Sequence, residues 1–185
     1  MEAALAHVAD RGVLAGLNLR EVADAAGVSP PNVYHHFASR QELLRAALSD
    51  QIERRSPAID VAVHASFVEW RTQIFELVQQ VPELRLTALL ALDDDPAYEP
   101  LALYDLAQEN YQRLVDEGEL PDGFDALAAH VLTLSMAMGV AIYGRAVSRQ
   151  VGIDVDELRD RTEAMFVTML EGLIRPDLDR ARPED

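Results

Sequence analysis

The sequence predicts an all-α protein, and three observations carry the prediction. Apolar residues recur at spacings of three and four along most of the 185 residues. Valine, isoleucine and the aromatic residues never settle into an alternating run of strand length. Helix-ending marks punctuate the chain at Arg11-Gly12, Gly27-Val28-Ser29-Pro30-Pro31, Ala38-Ser39, Ser56-Pro57, Val81-Pro82, Asp95-Pro96, Pro121-Asp122-Gly123, Gly152 and Pro176. About nine helices fit between these marks. The early helices are short and those from about residue 58 onward are long. This change of scale places an N-terminal domain over residues 1–48, a larger helical domain over residues 49–175 and a polar tail over residues 176–185.

Taken in order, Leu19, Val22, Ala23 and Ala26 give one apolar face, and Asn18 with Glu21 has capping-box spacing, so a short helix starts here. Gly27 is the residue type that most readily takes the left-handed conformation needed to turn off a helix end. Ser29 is placed to cap a second helix with Pro30 at its first position, where a missing N–H costs nothing. Two short helices joined by a tight glycine turn make a helix-turn-helix. In the second, Pro30 to Phe37, Val33 and Phe37 face inward and leave Asn32, Tyr34, His35 and His36 outside. Asparagine bonds adenine bidentately, and tyrosine and histidine donate to phosphate oxygens, so this surface is able to read nucleic acid. Arg20 and Arg40 bracket it with cations. The plainer alternative is that the aromatics pack and the histidines, whose side chains should diverge, are incidental. A longer helix follows from Ser39 to about Arg55.

Val63, Phe67, Trp70, Ile74, Leu77, Val78 and Val81 form a helical stripe of the kind that is ordinarily core. Ala126 to Gly144 passes without a charge for the length of a bilayer span. His130, Thr133, Ser135, Gly139 and Gly144 dilute its apolarity, so a helix buried on most sides of a soluble protein is expected. The imidazole of His130 needs a hydrogen-bond partner there. Leu158, Thr162, Met165, Phe166, Met169, Leu170 and Leu173 give the last helix a broad apolar face, begun by Asp154 with Glu157 in capping-box spacing. Small residues at Ser135, Ala137, Gly139 and Ala141 let another helix approach closely. Together these two helices carry more apolar face than one compact monomer needs, which points to self-association.

Composition narrows the function classes. A hydrophobic share of 49% excludes disorder as the reason for the net charge of −16. Absence of cysteine excludes disulfides, thiol nucleophiles and thiolate metal sites. Met1 to Arg11 has neither the basic start nor the apolar run of a secretory signal, so a cytoplasmic protein without membrane attachment is expected. There is no H-x-x-x-H, no glycine-rich phosphate loop and no G-x-S-x-G, and Asp93-Asp94-Asp95 reads as a solvated loop. No catalytic residue, metal or cofactor is therefore assigned, and the chain is expected not to be an enzyme. Its acidity opposes nucleic-acid binding in general. However, residues 1–55 carry six arginines against seven acids, whereas residues 56–185 carry ten against twenty-five. All sixteen cations are arginine.

Residues 3–48, AALAHVADRGVLAGLNLREVADAAGVSPPNVYHHFASRQELLRAAL, resemble the DNA-binding domain of the TetR family of one-component transcriptional regulators. The stretch LREVADAAGVSPPNVYHHFASRQELL carries the family's small residues, glycine turn, Y-H-F ending and following S-(K/R)-x-x-L-L. The resemblance implies that the helix Pro30–Phe37 enters the major groove of double-stranded DNA. Pro30, Pro31, Asn32 and His35 then face bases or groove, Tyr34 and His36 meet phosphates, Arg20 reaches groove or backbone, and Arg40 meets phosphate. Pro30 and Pro31 stand where the family often has a cation and a small residue, so this end reads by shape and apolar contact. Met1 falls in the middle of the family's first helix, short of the arginine-bearing arm that precedes it.

The remaining residues match the family only in length and helical texture. The resemblance implies a small-molecule effector held among these helices, with Trp70, Tyr104, Tyr111, His130, Met138 and Tyr143 as candidate pocket residues. It also implies a homodimer formed by the last two long helices as a four-helix bundle, with Ser135, Gly139, Leu158, Thr162, Met165, Phe166, Met169 and Leu173 at the interface. Such a dimer sets two recognition helices on successive major grooves, so the operator is expected to be an inverted repeat. The function implied is a repressor released from its operator by the effector. The alternative is an acidic helical ligand- or protein-binding dimer that has lost DNA binding.

Overall fold

A computed structural model describes residues 19–62, 65–81, 84, 86–101 and 103–174. The described residues contain no strand and form eight helices: α1 (Leu19–Ala26), α2 (Pro30–His36), α3 (Arg40–Ala62), α4 (Phe67–Gln80), α5 (Thr87–Leu92), α6 (Tyr104–Asp116), α7 (Ala126–Val151) and α8 (Val155–Leu173). The chain divides into two compact units, one of residues 1–57 and 81–100, the other of residues 58–80 and 101–185. The division expected between residues 48 and 49 falls inside α3. Ser56-Pro57 does not end that helix: Pro57 withholds one backbone N–H, yet the helix continues to Ala62.

In the first unit, α1 ends in a Schellman turn. Gly27 takes φ +67°, the Val28 N–H donates to the Ala23 carbonyl at 3.0 Å and the Gly27 N–H to the Asp24 carbonyl at 3.2 Å. Asn18, the expected cap at the other end, lies outside the described residues. Ser29 occupies the cap position of α2 with extended backbone, and its carbonyl accepts from the Asn32 N–H at 2.9 Å. Its side chain makes no capping bond, contrary to expectation. Side-chain caps missed in the sequence open α3, where Ser39 Oγ accepts from the Glu42 N–H at 3.1 Å and Glu42 accepts from the N–H of Ala38, the residue before the cap, at 2.7 Å.

Helices as short as α1 and α2 are not stable alone and must be held by packing. Val22, Ala23 and Val33 pack with Leu43, Leu44, Ala47 and Leu48 of α3, and Leu86 and Leu90 complete the cluster from a segment fifty residues further along. The loop after α5 is fastened to the same unit. Asp95, expected to be solvated, is almost wholly buried, forms an ion pair with Arg45 and accepts from the Ala97 N–H at 3.0 Å. Asp93 and Asp94 remain exposed.

In the second unit, Ser66 and Glu69 form a reciprocal capping box at the start of α4, and Glu119 accepts from the Phe67 N–H at 2.6 Å. Helix α4 packs against α7 and α8, which also pack on each other, and α6 packs against α7. The inner face of α4 is Phe67, Trp70, Arg71, Phe75 and Val78. Val63, the first residue of the expected stripe, lies outside the described residues.

Helix α7 is capped by Asp125, which accepts from the Ala128 N–H at 2.9 Å, and ends at Gly152 with φ +72°. By length and composition it is apolar enough to cross a membrane. The expectation that it is buried on most sides is overturned, since only 17% of its most apolar stretch is buried. Its buried line is Ala129, Thr133, Ala137, Gly144 and Ser148, whereas Leu127, Val131, Leu132, Ile142, Tyr143, Val147 and Val151 are exposed. Small residues face inward because α4 lies close, with Gln79 Nε2 donating to the Ala137 carbonyl at 2.8 Å.

Candidate functional site

Two groups of side chains carry chemistry, one in each unit. On α2, Val33 is buried and Phe37 half-buried, and that anchor fixes what the opposite face presents. Pro31, Asn32, Tyr34, His35 and His36 are exposed, Tyr34 at 57%, and Pro30 is half-buried at the first position of the helix. The two imidazoles do not diverge as expected. Their ring centroids lie 5.4 Å apart, edge to face, because His36 ends the helix and its ring folds toward its neighbour. Arg20 on α1 and Arg40 at the first position of α3 are exposed. No acid lies on α2 itself. An exposed amide, phenol and imidazole pair on the outer face of a helix anchored by Val33 is suited to groove and phosphate contacts.

In the second unit, a run of aromatic and polar side chains joins α4, α6 and α7. Trp70 lies 4.9 Å from Tyr111, ring to ring, and Tyr111 lies 6.2 Å from His130, which meets Tyr104 edge to face at 5.3 Å. Four of the six pocket candidates thus come together. Met138 is half-buried on α7 without a ring contact, and Tyr143 does not belong to the group: it is 66% exposed on the outer face of α7.

The residue that the sequence reading missed is Arg71, which is 1% exposed. Its Nη2 donates to Thr133 Oγ1 at 2.5 Å, its Nη1 lies 3.4 Å from His130 Nδ1, and its Cζ stands 4.9 Å from the Trp70 ring centroid. No carboxylate among the described residues pairs with it. The signal was present in the sequence, because Phe67, Arg71 and Phe75 are spaced four apart and must share a face. Burial without a counter-ion costs several kcal/mol, which the partial hydrogen bonding and the indole face only partly offset.

Charge states follow from this environment. Burial, and secondarily the neighbouring Arg71 cation, pushes the His130 pKa down to about 4, so the ring is neutral at pH 7 and Nδ1 is free to accept from Arg71. Burial also lowers the Arg71 pKa, though a guanidinium stays charged, and raises that of Tyr111, against the pull of Arg71. The Tyr111 hydroxyl is buried near Thr133 Oγ1, which accepts from Arg71 and donates to the Ala129 carbonyl at 2.7 Å, and it makes no hydrogen bond of normal geometry among the described residues. The Trp70 Nε1, Arg71 Nε and Asn110 Nδ2 donors are likewise buried without a partner among the described residues.

The self-association candidates divide. Ser135, Met165, Met169 and Leu173 are exposed, and Leu158, Thr162 and Gly139 half-buried. A Cβ placed on Gly139 would meet nothing within 4 Å, so this part of α7 is open to a neighbour. Phe166 is corrected: at 2% exposure, stacked on Phe75 with centroids 4.9 Å apart, it is core of the protomer itself. The large exposed residues of α7 named above were missed, because in sequence they resemble ordinary core.

A helix-turn-helix presenting this polar face defines a DNA-binding protein. Residues 1–47 match the family described as bacterial regulatory proteins, tetR family. This N-terminal segment is similar to the DNA-binding domain of that family, and it supports a DNA-binding transcriptional regulator. No curated protein matches the chain significantly.

Proposed function

We propose that the protein is a homodimeric repressor that binds an inverted-repeat operator and leaves it when a small molecule binds the second unit. The observation that carries the DNA-reading half is the polar face of α2 on its buried Val33 anchor. Asn32 is the base-reading side chain, with Pro30, Pro31 and His35 against the groove, and Tyr34, His36, Arg20 and Arg40 on phosphates. We assign residues 1–48 to DNA binding and residues 49–175 to effector binding and dimerisation, with α5 and its loop supporting the DNA-reading unit through Leu86, Leu90 and Asp95.

Dimerisation is supported by the inverted polarity of α7. A helix with small residues inside and Leu, Val, Ile and Tyr outside is unstable in water unless something covers it, and a second copy meeting α7 and α8 covers both exposed faces together. The polar contacts that α7 makes with Arg71 and Gln79 at mid-helix favour that arrangement over a bilayer. The effector acts by binding more tightly to the arrangement in which the two recognition helices no longer fit successive grooves.

The test is titration of the protein with duplexes from its own upstream region at two ionic strengths, with mass in solution measured in parallel. A dimer forming a specific, strongly salt-dependent complex supports the reading. Failure to bind any upstream duplex would leave the alternative of an acidic dimer without DNA binding.

A further inference from the structure

We infer that the effector is a small carboxylic acid with an apolar body, and that Arg71 is its counter-ion. The inference rests on the effector reading above and makes it specific. A guanidinium has five N–H donors. Two are engaged, by Thr133 and by the neutral ring of His130, and Nε–H has no partner among the described residues in a side chain that is 1% exposed. The adjoining Trp70 Nε1–H and Tyr111 hydroxyl are also buried without a hydrogen-bond partner among the described residues. What these α4, α6 and α7 side chains lack is an acceptor, and above all a negative one. An arginine edge matches a carboxylate in shape as well as charge. One arginine with an uncharged histidine balances a single negative charge, which favours a carboxylate over a phosphate dianion. The rings of Trp70, Tyr104 and Tyr111 supply apolar surface for the rest of the molecule.

The chain's single tryptophan is Trp70, so its emission reports on this site directly. The full-length protein is titrated with phenylacetate, hexanoate and acetate, and in parallel with phenylacetamide and inorganic phosphate. The expected result is saturable change in emission with phenylacetate or hexanoate, with the neutral amide and phosphate about tenfold weaker or worse. Arg71→Met should erase the preference for acid over amide. In the absence of any ligand the same variant should melt at the same temperature as the parent or higher, because it replaces an uncompensated buried charge with an apolar side chain of similar length. An amide that binds as well as the acid overturns the inference, as does silence from all three carboxylates. A marked fall in the melting temperature of Arg71→Met also overturns it, by showing that the arginine is structural. Adding the upstream duplex separates this inference from the reading beneath it. Carboxylate binding without duplex binding sinks the repressor and keeps the site, whereas duplex binding without carboxylate binding does the reverse.

Discussion

The core beneath the DNA-reading helix is aliphatic from Val22 to Leu90, and Arg45 at its margin meets the carboxylate of Asp95. The core of the second unit holds Trp70, Tyr111 and Phe166 together with Arg71, Asn110 and Thr133, and its arginine meets no acid among the described residues. The first arrangement pairs Arg45 with an acid and holds short helices in one geometry, which suits a surface that is presented unchanged to DNA. The second leaves donors unsatisfied among the described residues, a cost that the proposed effector would relieve. Charge follows the same division less sharply than a cut near residue 55 suggests. The first unit has seven arginines against twelve acids and the second nine against twenty, because residues 81–100 bring acids to the first.

The contrast can be broken or sharpened by substitution. The largest effect is expected for Phe166→Ala, which should cost about 3–5 kcal/mol of stability by emptying the Phe75 stack. Leu132→Glu on the exposed face of α7 should instead dissociate the proposed dimer while the protomer stays folded, and sedimentation with denaturant unfolding tells the two apart. Leu90→Ala should cost about 2–5 kcal/mol and weaken operator binding, although the residue is remote in sequence from the recognition helix. If its unfolding midpoint is unchanged, α5 does not support the DNA-reading unit.

The pH response comes next. His130 has a folded pKa near 4, below its ordinary value of 6.5. The unfolded chain therefore binds more protons in this interval, and stability falls as pH drops from about 6.5 toward 4, by roughly 2–3 kcal/mol after allowance for partial solvent access. The difference between the parent and His130→Asn, followed by denaturant unfolding across that range, isolates this contribution from the carboxylates. Asn32→Ala should cost about 1–3 kcal/mol of operator affinity and relax preference at one base position, whereas Arg40→Ala should weaken all sequences alike. A binding-site selection with each variant measures both. The smallest effect is expected for Asp95→Asn, about 1 kcal/mol of stability, because Arg45 retains access to water.

Local chemistry made the helix-turn-helix legible. Gly27, Pro30 at the first position of α2, and Val33 with Phe37 follow from neighbours within four residues, and the structure bears them out. Ser29 shows the margin of such reasoning, since the backbone takes the cap geometry while the hydroxyl does not bond. The second unit was harder to read for a specific reason. A helical period says which residues share a face, but not which face turns inward when both are apolar, as on α7 and α8. That ambiguity set Phe166 outward and Tyr143 inward, and it hid the exposed side of α7.

By itself, then, the sequence determined the all-helical class, the turn that sets up the reading surface and the residues presented on it, because these depend on interactions closed within a turn or two of chain. Only the tertiary structure decided that Leu86 and Leu90 complete the core under α1 and α2, that Asp95 is drawn to Arg45 across fifty residues, and that Arg71 is sealed among aromatic rings without an acid among the described residues. Those outcomes depend on which surfaces meet, and burial assigns a charged side chain its partners only after the helices around it have packed.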